Sequence, residues 1–216
     1  MTSPEHGTRA VLLDALGTLV ELEPPWLHLA AELGVEADDD LARAVRKEMD
    51  YYKEHSHEGR DEDSVAALRA RCADILSWEL DREVPVATMM ASIRFSAYPD
   101  AAPALAELRS QGMRLVCVSN WDISLTEVLE RCGLSDLLDG VVTSAGSGSR
   151  KPDPVIFSQA LEIAGCPAQE TLHVGDTAEE DVAGATAAGI RALLLDRDGG
   201  GDIASLAEIG PALVAR

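Results

Sequence analysis

The fold is decided by Ala10-Val11-Leu12-Leu13-Asp14-Ala15-Leu16-Gly17-Thr18-Leu19. Four consecutive apolar residues have the look of a parallel strand buried on both faces. They run directly into a carboxylate and a glycine-containing turn. Three further apolar runs share this character: Leu115–Val118, Thr171–Val174 and Ala192–Leu195. Val141–Val142 is a weaker fifth. Each is followed by a polar or glycine-rich turn and, in most cases, by a helical pattern. That alternation predicts an α/β fold, a parallel five-stranded sheet with helices on both faces.

The helices carry clear punctuation. Asp122 can cap Ile123–Cys132, where Leu125, Val128, Leu129 and Cys132 share a face and Gly133 stops the run. Asp153-Pro154 opens a helix that ends at Gly165. Thr177-Ala178-Glu179-Glu180 has the spacing of a capping box, with Gly189 as the stop. Ala101–Gln111 ends at Gly112. Residues 24–95 read differently. Pro24-Pro25 opens a helical stretch, Leu41–Lys53, Asp63–Leu80 and Pro85–Arg94 follow, and His55–Asp63 is polar enough to be a loop. No strand signal is seen between the first apolar run and the second. The division expected is a core of residues 1–22 and 96–216, interrupted by a helical insertion over 23–95 that returns to the sheet near Tyr98-Pro99.

Composition narrows the classes of function. The chain has 216 residues, 46% apolar and 26% charged, a globular profile with room for one sizeable core and a smaller module. Aromatic residues make up only 4%, so the core must rest on Ala, Leu, Val and Ile. The net charge of −20 argues against binding nucleic acid or anionic lipid; by itself it describes a solvated surface. No apolar run approaches the ~20 residues of a membrane span, and the polar N-terminus lacks a secretory pattern. A cytoplasmic location is expected. The four cysteines (Cys72, Cys117, Cys132, Cys166) form no C-x-x-C pair, which fits free thiols better than a zinc site.

Ligands of open parallel sheets bind at the carboxyl ends of the strands. Polar residues collect at that edge here: Asp14, then Leu16-Gly17-Thr18; Ser119-Asn120; Lys151 after the Ala145–Ser149 loop; and Gly175-Asp176 with Asp181 beyond. Singly, each has a bland explanation as a turn residue, a cap, a surface lysine or a first-turn acid. Jointly, they converge on one edge in order.

Asp14-Ala15-Leu16-Gly17-Thr18-Leu19, Ser119-Asn120, Lys151-Pro152-Asp153-Pro154 and Gly175-Asp176-x4-Asp181 resemble the four motifs of the haloacid dehalogenase superfamily. Gly175-Asp176-Thr177-Ala178-Glu179-Glu180-Asp181-Val182-Ala183-Gly184-Ala185-x3-Gly189 is the most specific segment. The resemblance spans residues 10 to about 195. It implies a Rossmann-like core, and the insertion is similar to that family's C1-type helical cap. It further implies an Asp14 nucleophile that forms an aspartyl-phosphate, with Ser119 and the Asn120 backbone N–H on phosphoryl oxygens. Lys151 would be a countercharge that also keeps Asp14 ionised. Mg²⁺ would be held by Asp14, the Leu16 carbonyl and Asp176, with Asp181 behind, orienting waters or pairing with Lys151. The substrate would be a small anionic molecule, with no nucleic-acid or membrane partner, and the protein a monomer or homodimer.

One departure matters. Most phosphatases of that superfamily carry a second Asp two residues after the nucleophile, as general acid and base; here it is Leu16. Three readings stay open: a Mg²⁺-dependent phosphatase suited to good leaving groups, a 2-haloacid dehalogenase, and a catalytically impaired phospho-ligand binder or scaffold. Dehalogenases of the superfamily also lack the second Asp. They usually carry Tyr there, lack the G-D-x4-D pattern and place an Arg soon after the first motif, whereas this chain has Glu21 and Glu23 and no Arg until Arg43. A subgroup combining D-x-x-G-T, S-N-F/W-D and K-P-D-P-x-I-F is also similar, matched by Ser119-Asn120-Trp121-Asp122 and Lys151–Phe157. In the insertion, Trp26, His28, Tyr51, Tyr52, Lys53, His55, His57 and Arg60 are candidate substrate contacts, though packing or an exposed loop explains most of them. His173, inside a strand, is expected to be structural.

Overall fold

The computed structural model describes residues 7–214. Its strands are β1 (Ala10–Leu13), β2 (Val20–Leu22), β3 (Phe95–Ala97), β4 (Arg114–Ser119), β5 (Gly140–Thr143), β6 (Thr171–Gly175) and β7 (Arg191–Leu194). Five of them form one parallel sheet of order β5-β4-β1-β6-β7. β1 lies at the centre and is buried throughout, as a strand sandwiched between two helical layers must be. Alternation along the strands divides the core. Val11, Leu13, Leu115, Cys117, Leu172 and Val174 pack on one face; Ala10, Leu12, Val116 and Val118 pack on the other. Successive side chains of a strand point to opposite faces, so a single run such as AVLL serves both layers.

The insertion is built from α1 (Pro25–Leu33), α2 (Asp39–His55), α3 (Glu62–Glu79) and α4 (Val86–Ser92). These helices enclose a separate apolar cluster that includes Leu29, Val45, Leu68, Leu76 and Met89. Local sequence sets their ends. The Asp38 carboxylate accepts from the Leu41 N–H at 2.8 Å. Asp61 and Ser64 cap α3 reciprocally, which satisfies the Asp61 and Ser64 N–H groups. The core helices are α5 (Ala101–Ser110), α6 (Leu125–Arg131), α7 (Ser144–Ser147), α8 (Pro154–Ala164), α9 (Gly184–Ala187) and α10 (Ile209–Val214). Asp153 caps α8 through the Val155 N–H at 2.9 Å.

Three local expectations are corrected. β2 and β3 pair antiparallel, Val20 opposite Ala97 and Leu22 opposite Phe95, where no strand was expected. Three-residue strands, half exposed, are too short to show a period. They carry the two crossings between sheet and insertion side by side, and Glu23 N–H donating to Arg94 carbonyl at 2.9 Å extends the pairing. His55–Asp63 is not wholly loop, since Ser56–Glu58 winds one 3₁₀ turn. Thr177 makes no side-chain cap. Ala178–Ala183 is a wide π turn, and the Thr177 N–H is instead satisfied by Asp181 Oδ2 at 3.1 Å.

Candidate active site

Asp14 is delivered by the end of β1 and Ser119 by the end of β4. Because the two strands pair in register, Leu13 opposite Cys117, their polar ends come close. The Ser119 hydroxyl donates to Asp14 Oδ1 at 3.0 Å. Lys151 reaches in from the loop after α7, and its side chain is only 2% exposed. Its ammonium donates to Asp14 Oδ1 at 2.5 Å and to Asp181 Oδ1 at 2.6 Å. Asp181 comes from the π turn after β6. Burying a lysine is costly unless charge partners surround it, and two carboxylates do so here.

Asp181 is fully committed within the protein. Oδ1 meets Lys151 and His173 Nε2, the latter at 2.9 Å, and Oδ2 meets the Thr177 N–H. His173 stands edge-on to Phe157 with ring centroids 5.1 Å apart. Burial moves the His173 ring downward, to the neutral form, against the pull of Asp181. Gly175 leaves room for this arrangement, since a Cβ there would lie 2.2 Å from the Asp181 carboxyl carbon. Asp181 itself is buried, yet Lys151 and the His173 hydrogen bond outweigh that burial and hold its carboxyl well below the usual range.

Asp14 behaves oppositely. Burial pushes its carboxyl up, to about 7, although Lys151 pulls it down; the Asp181 and Asp176 charges add to the rise. Lys151 thus acts on Asp14 in the expected direction, favouring the ionised carboxylate, and works against its burial. The lysine's charge is shared between two carboxylates, Asp14 and Asp181. Asp176 lies at the exposed end of β6. Partial withdrawal from solvent, then the Asp181 charge, moves its carboxyl upward too. Gly17 adopts φ +81°, and a Cβ there would sit 2.1 Å from Asp176 Oδ2. The turn after Asp14 therefore needs glycine both for its backbone and for the approach of the Asp176 carboxylate.

Asp14, Asp176 and Asp181 each place an oxygen within 4.8 Å of the others. This hard-oxygen set suits Mg²⁺ or a similar divalent cation. Burial raises the Asp14 and Asp176 carboxyls first, and the neighbouring carboxylates add to the rise. Asp181 has both oxygens engaged by protein donors, whereas Asp14 and Asp176 are each bonded through Oδ1. The Leu16 carbonyl takes no backbone hydrogen bond from the turn. The Leu16 side chain is 39% exposed, so an apolar surface stands where an acid could have been.

The Asn120 side chain is used structurally. It donates to the Lys151 carbonyl and to Glu180 at 3.0 Å each, and accepts from the Lys151 N–H at 2.8 Å. Several insertion candidates are likewise committed elsewhere. His28 meets Glu23 and His55 meets Glu58. Trp26 and Tyr51 pack against the insertion's apolar cluster. The Tyr52 hydroxyl donates to buried Asp122 at 3.0 Å. Sequence reading overlooked Arg197, whose guanidinium donates to the Gly17 and Thr18 carbonyls. Its place just after a strand, at the carboxyl edge of the sheet, was the available signal.

Residues 8–189 match the family model described as haloacid dehalogenase-like hydrolase. Among curated proteins, the chain is 39% identical over 102 residues to a ribulose-1,5-bisphosphate 5-phosphatase of Halopiger xanaduensis, covering 47% of this chain and 43% of that protein. The chain spans less than half the length of the curated relatives it matches first. Among solved structures, a phosphatase from Thermococcus onnurineus aligns with TM-score 0.68 and 25% identity over 96% of this chain and 98% of that one. The L-2-haloacid dehalogenase of Xanthobacter autotrophicus aligns with TM-score 0.66 and 26% identity over 88% and 78%.

Proposed function

Because the chain belongs to the haloacid dehalogenase-like hydrolase family, we propose that it is a Mg²⁺-dependent phosphatase that works through an aspartyl-phosphate on Asp14. The observation that carries this reading is the gathering of Asp14, Asp176 and Asp181, each with an oxygen within 4.8 Å of the others, at the carboxyl ends of β1 and β6 beside Lys151. Displacing halide from carbon needs the nucleophile but no second carboxylate to ligate a cation. The phosphatase among its curated relatives supports the same choice.

Asp14, the Leu16 carbonyl and Asp176 would hold the cation, which when bound neutralises charge on the phosphoryl oxygens. An Asp14 carboxylate oxygen attacks phosphorus in line with the leaving oxygen. The bond from phosphorus to that oxygen breaks, and the leaving group departs with the electron pair. Water then attacks the phosphorus, the bond to Asp14 breaks, and phosphate and the free carboxylate are released. Ser119 and Lys151, both on Asp14 Oδ1, fix the attacking group and supply the countercharge. Leu16 cannot protonate the leaving oxygen. Loss of such a donor costs ~10²–10⁴ in rate, about 3–5 kcal/mol of barrier, so acyl and aryl phosphates are the preferred class.

The test is a parallel assay of acetyl phosphate, p-nitrophenyl phosphate, an alkyl phosphate and L-2-chloropropionate, with Mg²⁺ and with excess EDTA. Mg²⁺-dependent release of phosphate from the first two is expected, abolished in Asp14→Asn. Metal-independent chloride release would select the dehalogenase reading instead.

A further inference from the structure

Arg197 follows β7 and lies beyond the stretch matched by the family model, which ends at residue 189. Its Nε donates to the Gly17 carbonyl at 3.3 Å and its Nη2 to the Thr18 carbonyl at 2.8 Å. Nη1 donates to both oxygens of Asp100, 3.2 Å each. The guanidinium carbon lies 3.5 Å from the Tyr98 ring centroid. Asp100 also accepts from the Ser205 hydroxyl and the Leu206 N–H at 2.8 Å each. One planar cation thus joins three segments: the turn after the nucleophile, the limb by which the chain returns from the insertion, and the C-terminal segment.

The turn itself leaves those carbonyls free. Its own amides are used internally, Gly17 N–H to the Val20 carbonyl and Thr18 N–H to the Ala15 carbonyl. Arg197 supplies the side-chain donors for the Gly17 and Thr18 carbonyls. Gly17 already holds a left-handed backbone with Asp176 against it, so a small rotation there would move Leu16 and Asp176 relative to each other. The return limb is tied to the same turn, the Tyr98 N–H donating to the Leu19 carbonyl at 3.1 Å. A rigid fork of donors with a stacking face can satisfy all of these partners together, whereas a point charge cannot.

We propose that Arg197 is a positioning residue: by clamping the Gly17–Thr18 turn to the return limb of the helical insertion, it sets the spacing of Asp14, the Leu16 carbonyl and Asp176 on which cation binding and in-line attack depend. The cation and the attack rest on the phosphatase reading; the clamp does not. A misplacement of ~1 Å can cost ~10²-fold in rate, which sets the scale of the effect.

The test compares wild type, Arg197→Ala and Arg197→Lys in three measurements: Mn²⁺ affinity by electron paramagnetic resonance, kcat and KM on p-nitrophenyl phosphate, and amide hydrogen exchange at Gly17–Leu19. Arg197→Ala is expected to weaken Mn²⁺ binding at least ~10-fold and to lower kcat ~10–100-fold with KM little changed. Exchange at Gly17–Leu19 should quicken, and Arg197→Lys should recover only part of each effect. A purely structural arginine would lower the melting temperature and leave Mn²⁺ affinity, kcat and turn exchange at their wild-type values in Arg197→Lys; that result overturns the proposal. If the wild type binds no Mn²⁺ and turns over no phosphoester, the phosphatase reading fails. The clamp is then judged by turn exchange alone, faster in both variants supporting it and unchanged exchange overturning it.

Discussion

At the scale of single residues, Leu16 is the position at which the proposed phosphatase mechanism calls for a proton donor that leucine cannot supply. Its backbone serves the same turn whatever the side chain, so Leu16→Asp should restore a proton donor without disturbing the cation site. Turnover of an alkyl phosphate should rise ~10-fold or more, with little change on acetyl phosphate, whose leaving group needs no proton. Equal rates for both enzymes would mean that another group already protonates the leaving oxygen. Glu48 makes a second test. It is buried in the insertion, and burial raises its carboxyl above the ordinary value, with the Cys72 thiol as hydrogen-bonding neighbour. A carboxyl whose folded pKa is raised supports folding fully below its unfolded pKa, and that support is lost as pH climbs through the folded value. Glu48→Gln should therefore raise the melting temperature more at about pH 8 than at about pH 4, where the native carboxyl is neutral anyway. Asp14, Ser119, Lys151, Asp176 and Asp181 could be picked out by sequence because motif residues follow recognisable strand ends. The contacts of Arg197 and the Tyr52–Asp122 pair were not legible there, because the partners lie far away along the chain and obey no local period.

At the scale of elements, the central strands were legible as unbroken apolar runs because burial on both faces removes the need for alternation. β2 and β3 were not, since three half-exposed residues carry no period, and their pairing exists only because the insertion returns beside its point of departure. The Thr177 cap shows the reverse failure. The local pattern was present, but Asp181, held by Lys151 and His173, took the amide and widened the turn. Between α2 and the core, the Tyr52 hydroxyl and the Gly59 carbonyl grip Asp122 and the Ile123 N–H. Tyr52→Phe removes one donor from a buried carboxylate whose other oxygen still accepts from the Ser124 N–H. The cost should be ~1–3 kcal/mol. Hydrogen exchange should quicken around residues 56–60 while amides of β1 stay protected, and a uniform loss of protection would argue against a local latch.

At the scale of the whole molecule, a net charge of −20 surrounds a site that would receive an anion under the proposed phosphatase reading. The Debye length falls from about 30 Å at 0.01 M salt to about 8 Å at 0.15 M. Screening should therefore relieve repulsion, and kcat/KM for p-nitrophenyl phosphate at saturating Mg²⁺ should rise with KCl across that range. A fall would point to positive steering by Lys151 and its neighbours prevailing over the overall field.

Sequence alone determined the parallel strands, the helical character of the insertion and the strand-end residues, because burial and backbone punctuation act over a few neighbouring positions. Only the tertiary structure decided how the charges divide among them: which two carboxylates share Lys151, which of the two also meets His173, and which distant guanidinium binds the turn after Asp14. Those outcomes follow from desolvation and from contacts between segments more than a hundred residues apart, quantities that no local pattern encodes.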